Sequence, residues 1–156
     1  MVEIREAVPG DAEVISELNT DQMGYAFSAK DTYEKLRDLL ECKKDKIFVA
    51  VIEGNVVGYV HANDYDLLYF PHMKNIMGIA VDERFKRQGI GRMLVEAVEE
   101  WAKKTGAIGI RLVSGASRTD AHDFYRSCGF SGDKEQINLK KIFIEIPVCR
   151  TGKIEL

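Results

Sequence analysis

The stretch Val81-Asp82-Glu83-Arg84-Phe85-Lys86-Arg87-Gln88-Gly89-Ile90-Gly91-Arg92 carries the most informative chemistry in the chain. It joins an apolar run directly to a strongly helical pattern. Gly89 and Gly91 remove side chains where the backbone turns, so several N–H groups can point at one anion. The positive end of the helix favours the same charge, and Arg87 and Arg92 can add to it. A phosphate or pyrophosphate suits this arrangement. The plainer alternative is a strand-to-helix turn that needs glycine for geometry, with solvated basic neighbours. Two familiar phosphate loops do not fit. No Lys-Ser or Lys-Thr follows the glycines, as a mononucleotide loop requires, and position 94 is Leu where a dinucleotide loop needs a third glycine.

The elements that position this turn follow from periodicity. Val2 and Ile4 begin a first strand, stopped by Pro9-Gly10, and Asp11 caps a helix through Val14, Ile15 and Leu18. Asn19 to Phe27, around Gly24, reads as a loop. Ser28 to Asp31 resembles a capping box with Asp in place of Glu, opening a second helix that buries Tyr33, Leu36, Leu39 and Leu40. Ile47–Ile52 and Val56–Val60 flank Gly54-Asn55, a hairpin signal. His61 to His72 is mixed and reads as a strand end followed by a loop. Met73–Val81 is a fourth strand, with Gly78 marking a bulge or a close backbone approach. Ile90, Met93, Leu94, Ala97, Val98, Trp101 and Ala102 line one helical face, closed by Lys103, Lys104 and Gly106. Ile108–Val113 predicts a fifth strand, Thr119–Cys128 a short helix stopped by Gly129, and Ile137–Ile146 a last strand ended by Pro147. The order is βααβββαβαβ, an α/β chain whose parallel crossovers fall in its second half.

Composition narrows the class. A length of 156 residues predicts one domain over 1–156, and 46% apolar with 30% charged residues excludes disorder and fibrous repeats. The apolar runs fall far below the roughly 18–20 residues of a membrane span, and Met1-Val2-Glu3-Ile4 has no leader pattern. With 22 Lys+Arg against 25 Asp+Glu, the net charge of −3 argues against nucleic acid as the main partner. Cys42, Cys128 and Cys149 are odd in number and widely spaced, which suits reduced thiols in a cytoplasmic protein and no metal centre.

The run from Val81 through Gln88-Gly89-Ile90-Gly91 resembles the acetyl-coenzyme A signature of the GCN5-related N-acetyltransferases, Gln/Arg-x-x-Gly-x-Gly/Ala after a strand. Ala121-His122-Asp123-Phe124-Tyr125-Arg126-Ser127-Cys128-Gly129-Phe130 resembles that family's tyrosine-bearing helix ending in Gly-Phe. Spacing and the intervening strand also match, over nearly the whole chain. Lys86 departs from the pattern at the Gln/Arg position, keeping charge but losing the planar fork. Arg118 departs where an asparagine is commoner.

The resemblance implies a mixed, mostly antiparallel central sheet with splayed fourth and fifth strands and helices on both faces. It implies acetyl-coenzyme A as cosubstrate, its pantetheine arm on the backbone of Ile79, Ala80 and Val81. The pyrophosphate would then lie on the N–H groups of Arg87, Gln88, Gly89, Ile90, Gly91 and Arg92, beside Lys86. Tyr125 becomes the candidate to protonate the departing thiolate, against the reading of a packed aromatic with Phe124 and Phe130. Arg118 either touches coenzyme A phosphate or pairs with Asp120 or Asp123. Acetyl transfer also needs a base. The family's glutamate position on the fourth strand is Met77, which takes no proton, so the base is unassigned among water, Asn75, His72 and His122. The expected activity is direct acetyl transfer to a primary amine, by a cytoplasmic enzyme that binds no nucleic acid or membrane. The alternative is a non-catalytic acyl-coenzyme A binding module. The acceptor falls to Asn19–Phe27, Asp64–His72 and the last strand, with Tyr25, Phe27, Tyr65, Tyr69 and Phe70 as walls and Asp21, Asp64 and Asp66 attracting a cation. Exposed apolar residues at Leu67–Phe70 fit a homodimer.

Overall fold

Val49, Ala50 and Val60 are sealed from solvent because their strands lie at the centre of a sheet covered on both faces. The computed structural model describes residues 1–145. Strands β1 (Val2–Glu6), β2 (Asp45–Ile52), β3 (Asn55–Leu67), β4 (Phe70–Val81) and β5 (Ile110–Leu112) lie side by side in that order. The first three pairings are antiparallel, and β4 with β5 is parallel. Helices α1 (Ala12–Met23) and α2 (Ala29–Glu41) cover one face, over Ile47, Val49, Val51 and Tyr59. Helix α3 (Ile90–Lys104) covers the other, with Leu94, Val95 and Val98 buried against Ala50, Val60 and Ala62. Helix α4 (Thr119–Ser127) follows β5, and Phe124 joins the α3-side cluster. The mixed sheet with helices on both faces agrees with the expected fold. No helix among the described residues is long and apolar enough to cross a membrane.

Several boundaries differ from the sequence expectations. Helix α1 continues through Asn19 to Met23 and stops where Gly24 takes φ +74°, its N–H bonding the Thr20 carbonyl. Ser28 caps α2 as expected, accepting from the Asp31 N–H at 3.0 Å, but Tyr33 points outward and stays exposed. The expected loop over His61–His72 is instead a long hairpin turning at Leu68-Tyr69. Its polar residues interrupt the apolar alternation yet pair across the ladder: Asp64 binds Lys74, and Asn63 accepts from Asn75. The expected last strand does not form among the described residues. No residue from 131 to 145 is in a strand, and Ile137, Leu139, Phe143 and Ile144 stand exposed. Alternation gives that segment an apolar face, but a strand also needs a ladder partner; Ile146 and Pro147 lie outside the described residues.

Candidate active site

The β4–β5 ladder joins only Lys74–Ile76 to Ile110–Leu112, while β4 runs on to Val81. From Met77 onward the edge of β4 turned away from β3 has no strand partner among the described residues. A gap therefore opens between the two strands. Its start coincides with a bulge: His61 pairs with Gly78 and Ala62 with Ile76, leaving Met77 as the extra residue, 57% exposed. The bulge expected at Gly78 thus sits one residue earlier. Ile79, Ala80 and Val81 pair with Val60, Tyr59 and Gly58 on one side and border the gap on the other.

Beyond Val81 the chain passes a single 3₁₀ turn (Glu83–Phe85) and enters α3 through an unusual loop. Arg87 has φ +67° and Gly89 +77°, so left-handed residues bracket Gln88. Holding arginine there costs about 1–2 kcal/mol. Turns of this kind gather N–H groups into an anion-binding concavity. No side chain caps α3, and its first turn holds no acidic residue. The first intrahelical bond comes from the Met93 N–H to the Gly89 carbonyl at 3.0 Å, so the N–H groups of Ile90, Gly91 and Arg92 lack helical acceptors. The side chains of Lys86, Arg87 and Gln88 form no hydrogen bond or ion pair among the described residues. Arg92 differs: its guanidinium donates to the Ser127 carbonyl at 2.7 Å, tying α3 to the end of α4. Gly91 also has another duty than expected. A Cβ there would lie 2.9 Å from Phe124 Cζ, so its bareness lets α4 approach α3.

That approach sets Tyr125. Its ring packs between Phe124, at 5.3 Å between centroids, and Phe130, at 5.9 Å. Burial pushes its phenol pKa up, the Arg118 cation opposes this, and the net effect keeps the hydroxyl protonated. The hydroxyl has no protein partner among the described residues. The ring is therefore packing, while the hydroxyl is free to donate. Arg118 sits exposed at the start of α4 and pairs with neither Asp120 nor Asp123; Asp123 faces Arg126 instead. His122 accounts for itself locally, with Nε2 2.9 Å from the Gly115 carbonyl oxygen.

On the α1–α2 face beside the gap, several paired polar side chains line the floor. Asn75 is buried, accepting from Arg111 Nη1 at 2.7 Å and donating toward Asn63 at 3.3 Å. Arg111 lies 4.4 Å over the Tyr65 ring. Asp45 Oδ1 meets His61 Nε2 at 2.7 Å, a pair the sequence reading overlooked because its members are on different strands. Tyr59 donates to Asn19 of α1, and burial raises its pKa to about 12. His72 belongs elsewhere. It bonds Asp66 and approaches Asp64, which holds Lys74 beneath the Trp101 ring of α3. The candidate wall aromatics are divided. Tyr25 and Phe27 are exposed on the α1–α2 connection, Tyr65 lies in the floor, and Tyr69 and Phe70 are exposed at the hairpin tip.

Comparison with known proteins matches this architecture. The model of the "Acetyltransferase (GNAT) family" fits residues 12–130. The chain is 28% identical over 137 residues to an aminoglycoside N(6')-acetyltransferase type 1 of Stenotrophomonas maltophilia, covering 81% of this chain and 84% of that one. Among solved structures, a transcriptional regulator from Bacillus halodurans C-125 superposes with a TM-score of 0.82 at 25% identity, covering 90% of this chain and all of that one. Aminoglycoside N-acetyltransferase AAC(6')-Iy, in complex with coenzyme A, superposes at 0.81 with 18% identity, over 90% and 95% of the two chains.

Proposed function

Because the chain belongs to the GNAT acetyltransferase family, we propose that it transfers the acetyl group of acetyl-coenzyme A directly to a primary amine of a small molecule. One observation carries this reading. The gap between β4 and β5 borders Met77–Val81, and the same strand leads to the uncapped start of α3 behind two left-handed residues. An extended amide chain ending in a diphosphate fits such a groove and cradle, because unpaired strand groups suit amides and convergent N–H groups suit phosphate. The residues that would hold it are Ile79, Ala80 and Val81 along the groove and Arg87, Gln88, Gly89, Ile90, Gly91 and Arg92 at the cradle. Lys86 and Arg87 add free positive charge, and Arg118 lies within electrostatic reach of Tyr125. Bound acetyl-coenzyme A supplies an activated thioester. Around it, a backbone N–H of the Met77–Ile79 segment polarises the carbonyl, and the Tyr125 hydroxyl gives a proton to the departing sulfur.

Relatives named as aminoglycoside acetyltransferases support a small-molecule acceptor, and the complex of AAC(6')-Iy with coenzyme A supports the donor. The reading extends to a cytoplasmic homodimer, for which exposed Leu68, Tyr69 and Phe70 offer an apolar contact. The test is thiol release from acetyl-coenzyme A with a panel of amines, alongside calorimetry of coenzyme A binding. Stimulation by at least one small amine is expected. Tight binding with no stimulation by any amine, peptide or protein would favour the second reading, an acyl-coenzyme A binding module, whose support is Met77 where a proton acceptor is expected.

A further inference from the structure

We infer that His61, oriented by Asp45, is the general base that takes a proton from the incoming ammonium. This rests on the acetyl-transfer reading above, which requires such a base and leaves it unassigned. The chain holds three histidines. His122 is tied to the Gly115 carbonyl on α4, and His72 sits with Asp64 and Asp66 toward α3. His61 alone lies at the bulge: it is the direct ladder partner of Gly78, adjacent to Met77. Direct antiparallel partners are about 4.5–5.5 Å apart at Cα. Its side chain shares a strand face with Tyr59 and Asn63, and the Tyr59 hydroxyl would stand 3.5 Å from a Cβ placed on Gly78. His61 therefore belongs to the polar floor beside the point where the strands part.

The pair has the form of an oriented base. Nε2 is 2.7 Å from Asp45 Oδ1, and a carboxylate only accepts, so in the neutral ring Nε2 carries the proton and Nδ1 the lone pair. Nδ1 has no partner among the described residues and is not sealed from solvent. Both side chains are mostly buried, at 20% and 12% exposure, so the imidazole is held in one orientation while an edge stays accessible. On the same sheet face, Arg111 of β5 is engaged by Asn75, and Tyr59 of β3 is bonded to Asn19. The balance is simple. His61 Nδ1 takes one proton from the ammonium, and the freed lone pair forms the N–C bond as the C–S bond breaks. The second nitrogen proton ends on sulfur through Tyr125, and His61 returns its proton to water. No oxidant or reductant is involved. Asp45 acts through His61 and is a positioning residue.

The experiment measures thiol release with acetyl-coenzyme A and sisomicin, neamine and short diamines, for the wild-type protein and for His61→Gln and Asp45→Asn. Coenzyme A affinity and thermal melting are read for each. The expected result is a fall in kcat of about 10²-fold for His61→Gln, a smaller fall for Asp45→Asn, and coenzyme A affinity unchanged in both. The deficit should shrink as pH approaches the acceptor's own pKa, where the amine arrives already deprotonated; a merely structural role would give a loss independent of pH. If His61→Gln fails to fold, Asp45→Asn and His61→Asn carry the same test. Turnover in the wild type with undiminished rates in the folded variants overturns this inference and leaves the acetyl-transfer reading standing. No turnover in the wild type with any amine overturns both.

Discussion

Tyr125 packs its ring between Phe124 and Phe130 and, on the proposed reading, donates a proton from its hydroxyl. Its ring fills space between Phe124 and Phe130, so Tyr125→Phe keeps the packing and removes only the proton donor. The expected outcome is a fall in kcat of about 10²-fold or more with unchanged coenzyme A affinity; a binding module would lose neither property. Its pKa gives a second check. Burial raises it and Arg118 opposes, so the alkaline limb of the rate profile should lie above the ordinary phenol value of about 10. Arg118→Ala removes the opposing charge and should move that limb further upward. At the first turn of the chain, Asp11 is depressed despite burial, because the Arg5 guanidinium and the Val8 N–H stabilise its charge. A lowered folded pKa adds stability above the unfolded value of about 3.9 that is lost as pH falls through the folded one. Asp11→Asn should therefore cost about 1–2 kcal/mol near neutral pH, and the difference from wild type in denaturant melts should close below about pH 4.

At the scale of elements, the α3–α4 contact is set by Gly91. Alanine gains about 1 kcal/mol of helix propensity, but its Cβ would press within 2.9 Å of Phe124 Cζ. Overpacking costs about 1–3 kcal/mol, so Gly91→Ala should lower stability by about 1 kcal/mol net. Adding Phe124→Leu should remove part of that penalty, which a double-mutant cycle in urea would measure. Spacing places Gly91 at a helix start without revealing that its bare face also meets Phe124 of α4. Much of the rest was legible. The α3 face, the Ser28 cap and the Gly54-Asn55 hairpin follow from local periodicity and turn chemistry. What escaped depends on distant partners. The β3–β4 hairpin is held by Asp64–Lys74 and Asn63–Asn75, ten and twelve residues apart. The His61–Asp45 pair spans sixteen residues and exists only through the register of β2 with β3. The Ile137–Ile146 alternation, conversely, suggested a strand that the described residues do not form.

For the molecule as a whole, a net charge of −3 sets a repulsive background for the proposed anionic donor. On the proposed reading, binding then depends on local donors at the α3 entrance, namely the backbone amides with Lys86 and Arg87. The exposed cations are screened by salt, whereas the short-range amide contacts persist. Coenzyme A affinity should weaken several-fold between low and high ionic strength, and Lys86→Ala with Arg87→Ala should flatten that dependence without abolishing binding. The bulge, the gap and the proposed cradle lie along one continuous path from Met77 to Arg92, which on the proposed reading holds the donor. A crystal structure with acetyl-coenzyme A tests it most directly. The diphosphate should lie against the amides of residues 87–92, with the pantetheine arm in the gap beside Ile79–Val81; density for the donor anywhere else on the molecule would contradict it.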